Sequence, residues 1–152
     1  MKFNLTTGPD PIVLDPNGDG DVITIQHERL TATERAEALE LAETSMAASM
    51  RYLYDKYLAW DGVTDMNGRA IPPQYMDGRE QKSNVDDVFG LLGLAVAMEA
   101  WIKQMVLNGV EFKRIEQAAR QNMSDREFEK LREAAERMGK LPAPTDGESS
   151  TS

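Results

Sequence analysis

A chain of 152 residues is of single-domain length and can bury a core without cross-links. It has no cysteine and one histidine, His27, which excludes a disulfide framework, thiol chemistry and a His-rich metal site. Its net charge of −9 is uneven, with 17 acids against 9 bases in residues 1–110 and 7 against 8 in residues 111–140. No segment is a basic patch, so no nucleic-acid partner is expected.

The first residues carry no apolar leader run, and a cytoplasmic protein is expected. Residues 1–30 read as β structure. Phe3 and Leu5 alternate with polar neighbours, Ile12-Val13-Leu14 is a short apolar run, and Ile23 and Ile25 alternate with Thr24 and Gln26. The turn-forming run Asp15 to Asp21 joins them into a hairpin, which must pack on helices or pair through an edge. The same run has a chemical reading. Asp15, Asn17, Asp19, Gly20 and Asp21 fit positions 1, 3, 5, 6 and 7 of a calcium loop, but position 12 is the neutral Gln26 instead of a bidentate Glu. A plain acidic turn is the expectation, because Asp, Asn and Gly are turn residues in their own right.

Thr31 with Glu34 matches a capping box, so a helix is expected over 32–59. Leu39, Ala42, Met46, Met50, Leu53 and Tyr57 make its apolar stripe. Met46, Met50 and Tyr54 are read as core, with an adaptable binding surface as the other reading. Trp60 to Pro73 contains Asp65-Met66-Asn67-Gly68, a strong turn signal, with Val63 and Ile71 able to pair across it. Asp61, Asp65 and Asp77 lack a nucleophile or a ligand set around them, so they too read as turn residues. Residues 74–82 read as a polar loop.

The stretch over 84–107 is apolar nearly all round and reads as a central helix. Ser83 or Asn84 caps its start and Asn108-Gly109 ends it. Asp86, Asp87, Glu99 and Lys103 argue against a membrane span. So apolar a helix asks for more cover than one amphipathic helix and two thin ones give, and a second copy or a client helix is expected to supply it. Residues 111–138 hold two helices, the second opened by a capping box of Ser124 and Glu127. A disordered tail is expected over 141–152.

The expected fold is therefore mainly α: a small bundle of three to four helices in a single domain over 1–140. It carries a short N-terminal β-hairpin and a second short hairpin or turn at 60–72. No nucleophile–base pair, phosphate loop or zinc spacing is present, so no catalytic, cofactor-binding or metal residue is singled out and no enzyme is expected.

Leu30-Thr31-Ala32-Thr33-Glu34-Arg35, and the run Trp60-Asp61-Gly62-Val63-Thr64-Asp65-Met66-Asn67-Gly68 followed by Pro72, carry a resemblance. Over residues 20–75 the chain resembles tail assembly chaperones of long-tailed bacteriophages. The polar loop at 75–82 and the charged last helix depart from that pattern. The resemblance implies a mostly helical protein of the host cytoplasm that self-associates, binds the tape measure protein, supports tail tube assembly and is absent from the finished virion. The alternatives are a small calcium-binding module using Asp15 to Gln26, and a structural tail or neck component of the virion.

Overall fold

The structure is a computed structural model, and it describes residues 8–137. Phe3, Leu5 and the tail expected over 141–152 lie outside the described residues. Among the described residues are six helices and five strands in two small sheets. This is a mixed α/β fold, which corrects the expectation of a mainly α bundle of three to four helices.

The first sheet has the antiparallel order β1-β2-β3, with β1 at Ile12–Leu14, β2 at Ile23–His27 and β3 at Tyr57–Asp61. The hairpin of β1 and β2 forms across the Asp15–Asp21 loop, with Ile12 opposite Ile25 and Leu14 opposite Ile23. Its inner face is Ile12, Leu14, Ile23, Ile25 and His27, all buried, while Val13 and Val22 face out. That is the alternation of a half-buried sheet. Strand β3 replaces the end of the helix expected over 32–59. Tyr57 and Trp60 sit opposite His27 and Ile25, and Leu58 has no partner in the ladder, a bulge. Leu53 and Tyr57 satisfy a helical period, but aromatic residues also favour strands, and here pairing with β2 wins.

The rest of that expected helix is two helices, α1 at Ala32–Thr44 and α2 at Met46–Tyr54. Ser45 breaks it. Its backbone is extended (φ −155°, ψ 113°), and its side chain accepts from the Ala48 amide as the cap of α2. The capping box of α1 is formed, with Glu34 N–H on Thr31 Oγ1 at 3.1 Å and Thr31 N–H on Glu34 Oε1 at 2.9 Å.

The turn at 60–72 closes through the Ile71 amide on the Val63 carbonyl at 3.1 Å, and Trp60 Nε1–H donates to the Ile71 carbonyl. Gly62 is required there. Its φ is +94°, and a Cβ would lie 2.6 Å from the Val22 carbonyl oxygen. Residues 74–82, read as loop, instead form with Ser83 the exposed hairpin of β4 (Gln74–Asp77) and β5 (Glu80–Ser83). Its strands carry no apolar alternation that a sequence could show.

The expected central helix over 84–107 is also two, α3 at Val85–Leu92 and α4 at Leu94–Leu107. Gly93, at φ +104° and ψ 161°, breaks it. This backbone region is open essentially to glycine alone. Asn84 does not cap α3 with its side chain; it donates to the Pro72 carbonyl at 2.8 Å, while Ser83 Oγ accepts from the Val85 amide at 3.1 Å. Helices α5 (Phe112–Ala119) and α6 (Asp125–Arg137) follow, and α6 opens on the Ser124–Glu127 capping box.

Helix α4 is the centre. It packs on α2, α3, α5, α6 and β1, and Met98, Ala100, Trp101, Ile102 and Met105 are all buried. The cover expected from a second chain or a client helix is thus largely supplied to α4 from within, because the N-terminal sheet closes one side of it through β1. Of the whole apolar run, Leu91 (90% exposed) and Leu94 (45%) remain the large hydrophobic side chains in the open.

Gly93→Ala is expected to lower stability by about 1–3 kcal/mol through backbone strain, since no atom stands where a Cβ would go. Urea unfolding reads this directly. A midpoint equal to that of the parent chain would mean that the break at Gly93 is not fixed.

Candidate functional site

The three interruptions of the helical scaffold meet in one place. Thr44 and Ser45 from the α1–α2 break, Leu94 from the α3–α4 break, and Asn122 and Met123 from the α5–α6 connection line a cleft of about 300 Å³. Its walls are Met46, Met50 and Met98, each less than one-tenth exposed, with Met123 partly exposed at the mouth. The connection is pinned there by Asn122 Nδ2–H, which donates to the Ala42 carbonyl in α1. Leu94 stands on the rim and Leu91 close by in sequence, at the end of α3. Thioether side chains have three soft torsions and repack around varied shapes, so a methionine-walled cleft tolerates different apolar guests.

Met46, Met50 and Tyr54 are buried, as a core stripe should be, yet the first two also face this cleft. Leu91, Leu94 and Met123 were not singled out from the sequence as surface residues. The signal that could have found them is the pair of breakers inside otherwise periodic helices, Ser45 and Gly93.

Other features offer less. A wider groove of about 830 Å³ runs between α1 and α5, lined by Glu37, Glu40, Glu43, Arg114, Gln117 and Gln121. It is an open, mostly solvated face of two helices. The Asp15–Asp21 loop is closed on itself: the two carboxylate oxygens of Asp15 accept the amides of Asp19 (3.2 Å) and Gly20 (3.0 Å). Gln26 lies out on β2, opposite Ala59. Among the described residues no group of three or more His, Asp or Glu side chains is placed to hold a metal ion. Asp65 spends Oδ1 on the amides of Asn67 and Arg69, and Asp77 pairs with Lys82 at 2.8 Å.

The residues that carry the sequence resemblance do structural work. Leu30 is buried and its amide donates to Asn108 Oδ1 at 2.8 Å; Arg35 Nη1–H donates to the Leu30 carbonyl at 3.0 Å. Glu34 pairs with Lys56, whose ammonium, with the Thr31 amide, holds the Glu34 carboxyl below its ordinary range. Trp60 clips the following turn, packing edge-on to Tyr57 with ring centroids 6.3 Å apart. Comparison with family models, with curated proteins and with solved structures finds no match to this chain. Among the described residues no helix is long and apolar enough to cross a membrane.

His27 is a buried titratable group of the sheet. Its Nε2 lies 2.8 Å from the Asp10 carbonyl oxygen, which makes it the protonated nitrogen, and Nδ1 is buried with no partner among the described residues. Burial lowers its pKa from 6.5, against the opposing pull of the Asp10 carbonyl. The neutral ring therefore favours the folded state. The stability it gives is complete above the unfolded value of 6.5 and is lost as pH falls through the window below it. Glu34 and Glu99 titrate lower. Both are held below 4.5, and Arg137 and Lys103 outweigh the burial that would raise Glu99. A melting temperature that falls between about pH 7.5 and 5.5 is expected, with a flatter profile in His27→Gln. A parent profile that is flat over that range would contradict this placement of His27.

Proposed function

We propose that this chain is a tail assembly chaperone-like protein. It binds the tape measure protein, or another tail protein with exposed apolar helices, and supports tail tube assembly through protein contacts in the host cytoplasm. The carrying observation is the methionine-walled cleft with Leu94 on its rim, together with the exposed Leu91 three residues before it in the sequence. Helix-in-groove binding is the usual way such a surface is used. The residues at 30–35 and 60–72 support the reading as well, since they bear the resemblance to that family.

An acidic surface fits the work of holding an aggregation-prone client in solution, because net charge opposes association of the loaded complex. In the proposed role the protein has no reaction to catalyse, and its specificity lies in which helices the cleft admits. Self-association, which the resemblance implies, is part of the proposal and would use a surface other than the cleft while a client is bound.

Co-expression with a tape measure protein tests it. The client is expected in the soluble fraction with the parent chain, and to return to the pellet with Leu91→Ser combined with Leu94→Ser. A client that precipitates equally with and without the parent chain would sink the proposal.

A further inference from the structure

Helix α6 is held to α4 differently from the rest of the scaffold. Nine of its 13 residues are charged, and its buried side chains are Phe128, Leu131, Ala134 and Ala135. Two of these four are alanines, so the apolar area it withdraws from water is small. Among the described residues it packs on α4, with no comparable contact to another element. Helices α1 and α2 are tied to each other and to α4 by buried hydrogen bonds through Ser49. No such bond reaches α6, whose side-chain bonds among the described residues are exposed or half-exposed. Charge at the surface clasps it instead. Arg132 pairs with Glu116 at 3.1 Å, Arg137 pairs with Glu99 at 2.7 Å, and the Arg120 guanidinium lies 3.9 Å from the Phe128 ring centroid. Surface ion pairs are weak singly and are screened by salt.

Both ends of α6 stand beside gaps. The methionine-walled cleft, lined by Leu94 and Met98 of α4, is bounded by Glu127 from the start of α6. A second cleft, of about 320 Å³, is lined by Ala95, Val96 and Glu99 of α4 and by Arg137 from the end of α6. Both open onto the first turns of α4, and departure of α6 would join them into one groove with an apolar floor.

We infer that α6 is a displaceable cover, which opens from α4 as a unit and yields its place there to an amphipathic helix of the client. What that face of α4 accepts is shown by α6 itself, a helix with Phe128 and Leu131 three residues apart and two alanines one turn further on. A longer helix with apolar residues at both ends would also fill the two clefts that α6 leaves open, and would displace it for that reason. That the incoming helix belongs to a client rests on the chaperone-like reading; the opening of α6 does not.

Amide hydrogen exchange on the full chain reads the opening. Leu131 to Ala135 are expected to exchange together, at least about tenfold faster than Trp101 to Met105 in α4. Arg132→Gln combined with Arg137→Gln should speed them by about tenfold more and leave the α4 rates unchanged. A labelled peptide with the sequence of residues 118–137 tests the exchange of helices. It should bind the double variant at least about tenfold more tightly than the parent chain, because the resident helix is open more of the time while the peptide keeps both arginines. Rates equal to those of α4, or rates that rise stepwise from Leu131 towards Arg137 as in simple fraying, would overturn the inference. So would a peptide that binds neither chain, or both alike. If the inference falls in one of these ways while the co-expressed tape measure protein is kept soluble, the chaperone-like reading stands. If α6 opens and the peptide takes its place but that client precipitates, the chaperone-like reading falls and the displaceable cover stands.

Discussion

Everything in this fold hangs on one polar seam along α4. Trp101, Gln104 and Asn108 lie on one side of that helix, and all three reach into elements that precede it in the chain. Trp101 Nε1–H donates to Ser49 Oγ at 2.9 Å, and the same hydroxyl donates to the Ala38 carbonyl at 2.6 Å, so one buried serine joins α4, α2 and α1. Gln104 donates to the Leu53 carbonyl at 3.4 Å, where α2 ends. Asn108 accepts the Leu30 amide at 2.8 Å and donates to the Gln104 carbonyl, fixing the point where β2 hands over to α1. Apolar contact alone is non-directional and would let an all-round hydrophobic helix rotate or slide. Buried donors that must find acceptors set its rotation and its height.

Once α4 is fixed, the breaks elsewhere acquire positions. Ser45 lets α1 and α2 turn around the Ser49 contact, Gly93 lets α3 leave the α4 axis, and the Asn122 bond brings the α5–α6 connection back to the end of α1. Phe89 of α3 is held by Tyr54 and Tyr57 at ring separations of 5.6 and 6.1 Å, tying the departing helix to α2 and β3. The cleft is what remains between three helix ends that cannot all close on one another. On the far side, Lys103 donates to the Val13 carbonyl and pairs with Glu99, which also holds Arg137, so β1, α4 and α6 are joined. The apolar cleft is thus a place where this centre opens to the surface, as a methionine-walled gap.

Much of the chain was readable from local chemistry. The capping boxes at Thr31 and Ser124, the β1–β2 hairpin and the turn ending in Asn67-Gly68 all follow from a few neighbouring residues with specific backbone demands. The errors were of another kind. A single extended residue at Ser45, or a single glycine at Gly93, does not disturb the apolar period on either side, so two long helices were read where four stand. Strand β3 depends on pairing with a strand some thirty residues earlier, and the β4–β5 hairpin has no apolar face; neither signal is local. The same holds for the site. The methionines were visible as a stripe, but nothing in a linear pattern says that the breaks at 45, 93 and 122 meet, since that depends on the seam of Trp101, Gln104 and Asn108.

The seam is tested most directly by a double-mutant cycle on Ser49 and Trp101, read as unfolding free energies in urea. Ser49→Ala orphans the indole N–H and Trp101→Phe removes it, so the double variant should be less destabilised than the sum of the singles by about 1 kcal/mol or more. Effects that add to within about 0.3 kcal/mol would show that the two side chains do not act together, and that α4 is held in place by apolar packing alone.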